Sequence, residues 1–313
     1  MKSWLVTGGC GFIGSHLAER LGRSGDRIVV LDDLSSGRVD NLPSGVEFVK
    51  GDIRDAGLVA EVMRAVDGCY HLAAIASVAR SNEDWAGTHA VNLTGTINIF
   101  DAARAAALSG RRLRVVYASS AAVYGDCTDI PLAETAPTRP LTAYGADKLG
   151  CELHGRVAFQ VHGVPNVGLR FFNVFGPRQD PASPYSGVIA IFAKAVQEGR
   201  APTILGDGKQ VRDFVYVEGV VDALTAAMAR EDLTCDVFNV CTGDATSIES
   251  LARLIFEIYG TTPDIKHGPP RAGDIRKSVG NPHRLRTVLG VPPTISVADG
   301  MRRTLDWMRS TNR

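Results

Sequence analysis

The chain has 313 residues, 45% hydrophobic and 22% charged. That composition suits one α/β domain with a smaller companion and argues against a disordered chain. Lys plus Arg number 34 and so do Asp plus Glu, so no net field draws the chain to nucleic acid or to an anionic membrane, and anionic ligands must be held by local devices.

No run of about 18 apolar residues marks a membrane span, and no charged-then-apolar leader opens the sequence. The cysteines Cys10, Cys69, Cys127, Cys151, Cys235 and Cys241 show no CxxC spacing. Free thiols in a reducing, cytoplasmic setting are expected, and no metal site.

The first strand, at 4–7, runs through Thr7-Gly8-Gly9-Cys10-Gly11-Phe12-Ile13-Gly14 into a helix over 12–23. Gly8 permits a tight turn, Gly11 lets the main chain approach a pyrophosphate, and Gly14 lets helix pack on strand. Phe12 and Ile13 lie in the first helical turn, whose unpaired N–H groups attract an anion. A second strand, 27–31, ends at Asp32-Asp33, with Asp32 placed 18 residues after Gly14. An acid there hydrogen-bonds both ribose hydroxyls of an adenosine and repels a 2′-phosphate, so the cofactor reads as NAD rather than NADP. Arg38 argues the other way.

The third strand, 46–49, leads into Gly51-Asp52-Ile53. Asp52 is placed either to face an adenine amino group, with Ile53 against the ring, or to cap the helix predicted over 56–65. A strand at 69–72 and one long helix over 82–107 follow. The strand at 114–118 runs into Ser119-Ser120 at the carboxyl edge of the sheet, where doubly wound folds bind ligands. The helix over 142–162 carries Tyr144 and Lys148 four residues apart, hence on one face. A phenol is a weak base at neutral pH unless a neighbouring cation favours its anion. Ser120, Tyr144 and Lys148 together make a credible hydride-transfer site, with Ser120 relaying the proton.

A strand at 164–170 and helices at 187–199, 218–229, 247–259 and 297–308 complete the pattern. The expected fold is α/β, a doubly wound parallel sheet (Rossmann) with a smaller, discontinuous C-terminal substrate-binding lobe. The NAD-binding domain would take residues 1–173 and the lobe 174–210 and 242–313. The chain would return to the main sheet within 211–241, near 214–216 and 237–240.

The ordered motifs TGGCGFIGSHL (7–17), LDDLSSG (31–37), GDIRD (51–55), HLAA (71–74), VNLTGT (91–96), ASSAAVYGD (118–126), YGADK (144–148), RFFNVFGPRQ (170–179), GDGKQVRDFVYV (206–217) and RAGDIRKS (271–278) run over nearly the whole length. On them the chain resembles the extended short-chain dehydrogenase/reductase superfamily, and within it the NAD-dependent UDP-hexose 4-epimerases, particularly those accepting N-acetylated sugars. The resemblance implies Tyr144 as general base, Lys148 as its electrostatic partner and Ser120 as proton relay. It places Leu72, Ala73, Ala74, Asn92 and Phe171 beside the cofactor. It places Ser77, Asn173, Val188, Arg212, Arg271, Asp274 and Ser278 at the nucleotide sugar, the arginines on its diphosphate. Tyr144 would take the proton of the sugar O4 as C4 is oxidised, and return of hydride to the other face would invert C4. The resemblance also implies a homodimer, through helices 82–107 and 142–162.

Ser120-Ala121-Ala122 lacks the Thr-Asp-Glu triplet of the related 4,6-dehydratases, and the related decarboxylases carry Glu at the place of Ala122. Ser278 stands where a tyrosine narrows the sugar pocket in some epimerases, so it leaves room for an acetamido group without compelling one. The expected activity is interconversion of UDP-GlcNAc with UDP-GalNAc, of UDP-Glc with UDP-Gal, or both. The alternatives are a UDP-uronic acid epimerase with Arg178 or Arg80 near C6, another family dehydratase or reductase, or a non-catalytic NAD-binding sensor. Ser77 is open to a second reading, as a hydroxyl capping the following helix.

Overall fold

The computed structural model describes residues 1–180, 187–270, 275–292 and 295–311. Its first half alternates strand and helix: Ser3–Thr7 (β1), Phe12–Gly22 (α1), Arg27–Asp32 (β2), Glu47–Lys50 (β3), Ala56–Arg64 (α2), Gly68–His71 (β4), Val78–Glu83 (α3), Trp85–His89 (α4), Gly95–Leu108 (α5), Arg114–Ser120 (β5), Ala143–His162 (α6) and Asn166–Phe171 (β6). The rest comprises Asn173–Phe175 (β7), Val188–Gln197 (α7), Thr203–Leu205 (β8), Val211–Arg212 (β9), Phe214–Tyr216 (β10), Val217–Ala229 (α8), Cys235–Val240 (β11), Thr246–Ser247 (β12), Ile248–Tyr259 (α9), Lys266–Gly268 (β13), Lys277–Ser278 (β14), His283–Thr287 (α10) and Val297–Thr311 (α11).

Seven strands form one parallel sheet in the order β11-β6-β5-β4-β1-β2-β3. The order reverses after β3, when β4 pairs on the other side of β1, and that switch opens a crevice at the carboxyl ends. The inner strands are apolar on both faces because helices cover both. Val6, Val30, Tyr70 and Val116 face Leu17 and Leu21 of α1 and Val220 and Leu224 of α8. Their neighbours Leu5, Val29, Cys69 and Val115 face Val59 and Met63 of α2 and Ile99 and Ala103 of α5. Each large side chain removed from water contributes roughly 1.5–3 kcal/mol. A third core gathers Phe175, Ile204, Phe214 and Tyr216 with α7, α9 and α11.

Two expectations are corrected. The helix predicted over 82–107 is three pieces. α3 starts at Val78 and stops where Asp84, at φ −128°, turns its carboxylate to accept from Gly87 N at 2.9 Å and so caps α4. A π-turn, Ala90–Thr94, then precedes α5. In it the Asn92 side chain holds both N–H and C=O of Ile75, while its own carbonyl takes the Thr96 hydroxyl at 2.6 Å. The second concerns Phe214–Tyr216. This strand does not join the main sheet but pairs in parallel with β7 as a separate two-stranded sheet. Only β11 returns, beside β6. Among the described residues no helix is long and apolar enough to cross a membrane.

Candidate active site

The first βα turn forms the floor of a cleft of about 670 Å³. Gly8 sits at φ +69°, where an L side chain is strained, and a Cβ there would lie 2.7 Å from Ala73 N. A Cβ on Gly14 would collide with the Gly8 carbonyl oxygen, so these glycines keep the turn and α1 in contact. α1 has no side-chain cap at Gly11. Its first N–H groups therefore remain available to an anion, as a dinucleotide pyrophosphate requires.

Asp32 ends β2 in the cleft wall. Its carboxylate accepts from Cys10 N at 3.0 Å and Leu34 N at 2.8 Å, which fixes its direction. Burial pushes its acidity constant above the usual carboxylate range, against those hydrogen bonds. Asp33, Ile53, Leu72, Ala73, Ala74 and Phe171 also line the cleft, with Gly8, Gly11, Phe12, Ile13 and Gly14. Asp52 does too, but one oxygen already receives the Arg54 guanidinium, at 2.6 and 2.9 Å, which holds its carboxyl below the usual range. The capping alternative for Asp52 is overturned, because Asp55 caps α2 by accepting from Leu58 N.

At the other end of the cleft stand Ser120, Tyr144 and Lys148. Thr142 caps α6 by accepting from Gly145 N, which sets Tyr144 in the first turn. The Lys148 ammonium donates to Ala118 O at 2.9 Å and lies 5.9 Å from the centre of the Tyr144 ring. Ser120 ends β5 and its Oγ accepts from Ala122 N. Strand end and helix face thus bring hydroxyl, phenol and ammonium to one place.

Other expected residues lie elsewhere. Asn92 is fully buried and acts through Ile75, which does line the cleft. Ser77 caps α3, accepting from Arg80 N, and does not line the cleft. Asn173 donates its amide to Asp213 O. Val188 opens α7 just after Gly187. Arg212 and Ser278 are neighbours across β9 and β14. Arg271 and Asp274 fall outside the described residues. A second cavity, of about 640 Å³, is lined by Pro270 and Arg276 on either side of that segment. Of the residues proposed for C6, Arg178 is engaged, donating to Glu19 at 2.6 Å and to Ser15, whereas Arg80 lines the cleft.

Asp84, in the 82–85 segment that the resemblance sets beside the sugar, lines the cleft, and so do Ile75, Gly87 and Gln179, which the sequence did not single out. Of those three, Gln179 alone carried a signal, inside the 170–179 motif. Its Nε2 contacts Val174 O at 3.4 Å, while its buried Oε1 has no partner.

Beneath the cleft His71 is fully enclosed. Thr96 Oγ1 donates to Asn92 O, so it accepts from Nε2–H of His71, at 2.9 Å; Nδ1 then accepts the Thr7 hydroxyl at 2.8 Å. Thr7 Oγ1 in turn receives the N–H groups of Leu72 and Ala73. Burial, assisted by repulsion from Lys148, pushes the His71 pKa from 6.5 down to about 3. The folded state therefore refuses a proton that the unfolded chain accepts. The resulting stability is full above pH 6.5 and declines as pH falls toward 3, by up to ~1.4 kcal/mol per pH unit. Urea midpoints measured from pH 7 to pH 4 should fall less steeply for His71→Asn than for the natural chain; equal slopes would refute the assignment.

Fold and cleft together define an enzyme built on a dinucleotide site. The profile of the NAD dependent epimerase/dehydratase family matches residues 4–241. A UDP-glucose 4-epimerase of Mycolicibacterium smegmatis is 40% identical over 317 aligned positions, covering 99% of each chain. Among solved structures, a UDP-glucose 4-epimerase from Thermotoga maritima with UDP-glucose superposes with a TM-score of 0.94 at 34% identity, covering 99% of this chain and 100% of that one. A UDP-N-acetylglucosamine 4-epimerase from Methanobrevibacter ruminantium, in complex with UDP-N-acetylmuramic acid, gives 0.93 at 33% identity over 99% of each chain. The chain belongs to the NAD-dependent epimerase/dehydratase family, and its cofactor is NAD.

Proposed function

We propose that the protein is a nucleotide-sugar C4 epimerase acting on UDP-glucose/UDP-galactose, UDP-GlcNAc/UDP-GalNAc, or both. The observation that carries this is the meeting of Ser120, Tyr144 and Lys148 in the cleft that also holds the glycine turn and Asp32. The residues fit a dinucleotide: a turn whose glycines a Cβ would obstruct, an uncapped helix start and a buried acid at the end of β2. When bound, NAD supplies reversible hydride acceptance, so that C4 can become a ketone and be reduced again.

The chain's own residues handle the proton. Tyr144 takes the O4 proton, and the Lys148 ammonium stabilises the phenolate. Ser120 hydrogen-bonds O4 and fixes its distance from the phenol. The dehydratase relatives' acid and base have no counterpart at Ala121 and Ala122, so the ketone is not led on to loss of water. The nucleotide sugar is assigned to the lobe of 174–210 and 242–313, with Asn173, Val188, Arg212, Arg271 and Asp274 around it and Ser278 beside the sugar. The cavity beside Pro270 and Arg276 supports that placement.

Incubation of the purified protein, without added NAD, with a panel of UDP- and dTDP-sugars tests the reading. Proton NMR should show one C4 epimer converted to a mixture of both. A product lighter by water, or net consumption of reduced cofactor, would refute it. Arg80 supports a second reading, a UDP-uronic acid epimerase. Arg80 lines the cleft and forms no ion pair among the described residues; UDP-glucuronate in the same panel decides it.

We further infer a homodimer paired through α5 and α6. Leu153, Val157 and Val161 form a stripe along α6 at 58%, 51% and 66% exposure, and Leu108 ends α5 at 77%. A second copy would cover that face.

A further inference from the structure

Asp147 stands between Tyr144 and Lys148 in sequence, yet it does not line the cleft. It is 4% exposed. Oδ1 accepts from His89 Nδ1 at 2.8 Å, and Oδ2 is buried with no partner. A buried carboxylate with an idle oxygen is costly, and a small or apolar residue would fill the place at less expense of free energy. What it gains is a tie between two elements that otherwise lack one. Among the described residues, His89–Asp147 is the one side-chain hydrogen bond joining residues 84–91 to α6.

That segment needs such a tie. α4 is the first turn of a helix that continues through a π-turn into α5, and a helix end beside a π-turn leans on tertiary support. Asp84, Gly87 and Val91 from this segment line the cleft, and Asn92 just after it holds Ile75 in the same wall. The preceding helix touches the catalytic helix, since Tyr144 N donates to Ser81 Oγ at 3.3 Å. The wall therefore stands at the catalytic end of the cleft, away from Asp32.

We propose that His89 and Asp147 form a clamp that fixes this wall against α6, making His89 a positioning residue for the sugar part of the substrate. The clamp rests on the epimerase reading for the nature of that ligand. It acts on shape: without the bond the first turn of that helix can shift against α6, and the pocket no longer matches the hexose ring. The diphosphate and base, held elsewhere, are unaffected.

The test compares the NAD-loaded natural protein with His89→Ala and His89→Asn, because an asparagine amide can donate from nearly the same point as Nδ1. Calorimetric titration with UDP-glucose, UDP-GlcNAc and UDP is paired with steady-state kinetics. His89→Ala should weaken binding of the UDP-sugar and raise its KM about tenfold, the loss expected for one hydrogen bond to a charged group. Its kcat and its affinity for UDP should stay within about twofold, and His89→Asn should restore most of the loss. His89 is half-exposed, with 50% of its side chain in solvent, so the truncated protein should fold, and its melting temperature checks this. Equal loss for UDP and UDP-sugar, no loss at all, or failure of asparagine to rescue would each overturn the clamp. If the natural protein binds UDP-sugars but converts none, the epimerase reading falls while the binding comparison still decides the clamp.

Discussion

Tyr144→Phe should lower turnover of a UDP-hexose by about three orders of magnitude, the upper part of the range for losing a general acid–base group. It should do so without loosening the fold. The phenol hydroxyl makes no hydrogen bond within the described protein, whereas the main chain at the start of α6 is held by Thr142 and Ser81. Phenylalanine keeps the ring and its contact with Lys148, so melting temperature and bound NAD should be unchanged. KM should move little, because the interaction removed is one realised in the transition state rather than on binding. Turnover by initial rate, cofactor content by absorbance after denaturation, and thermal melting together check the claim. Undiminished turnover in a well-folded variant would show that another group takes the O4 proton. Loss of NAD with the activity would make Tyr144 a cofactor ligand first and a base only by implication.

The cofactor half of this site could be read in the sequence because its residues are consecutive. Gly8, Gly11 and Gly14 announce a turn whose geometry only glycine tolerates, and Asp32 follows at the end of the next strand. The wall near the sugar was hidden for the opposite reason. Gly87 and Ile75 reach the cleft through a helix break and a π-turn that no local pattern signals, although the 82–85 segment itself stood out in the sequence. The stretch predicted as one helix over 82–107 is broken by Asp84, which caps α4, and widened to a π-turn around Asn92, whose side chain is spent on the main chain of Ile75. Phe214–Tyr216 shows the same limit in the sheet. Its strand character is local and legible, but its choice of β7 as partner depends on residues 41 positions away, as Phe214 pairs with Asn173. Ser77 and Asn92 add a caution of their own. Both are polar residues in motifs near the ligand, and both are engaged with main chain, one capping α3 and the other fixing the wall from behind.

Glu152→Ala should cost about 3–5 kcal/mol of stability, the usual consequence of leaving one member of a buried ion pair alone. Glu152 and Arg170 are joined at 2.6 Å with 7% of each side chain exposed. The remaining groups are satisfied as well. Ser119 Oγ donates to Glu152 Oε1 at 2.5 Å, Arg170 Nη1 donates to the Tyr124 hydroxyl at 2.8 Å, and that hydroxyl donates to Asn239 Oδ1 at 2.6 Å. The cluster bolts α6 to β5, β6 and β11. Lys148 and Glu152 are four residues apart and share a helix face, and Ser119 precedes Ser120, so the same cluster sets where two of the three proposed catalytic groups stand. Urea unfolding should therefore show a large drop in midpoint for Glu152→Ala. The double variant Glu152→Met with Arg170→Met should recover much of that stability, because hydrophobic replacement of a whole buried pair is often neutral. Turnover separates stability from placement. If the cluster positions the site, the stable double variant should remain slow, because Ser119 has lost its acceptor and the bond from Lys148 to Ala118 O is left to align α6 with β5 without it. Full recovery of turnover with stability would reduce the cluster to a structural pin.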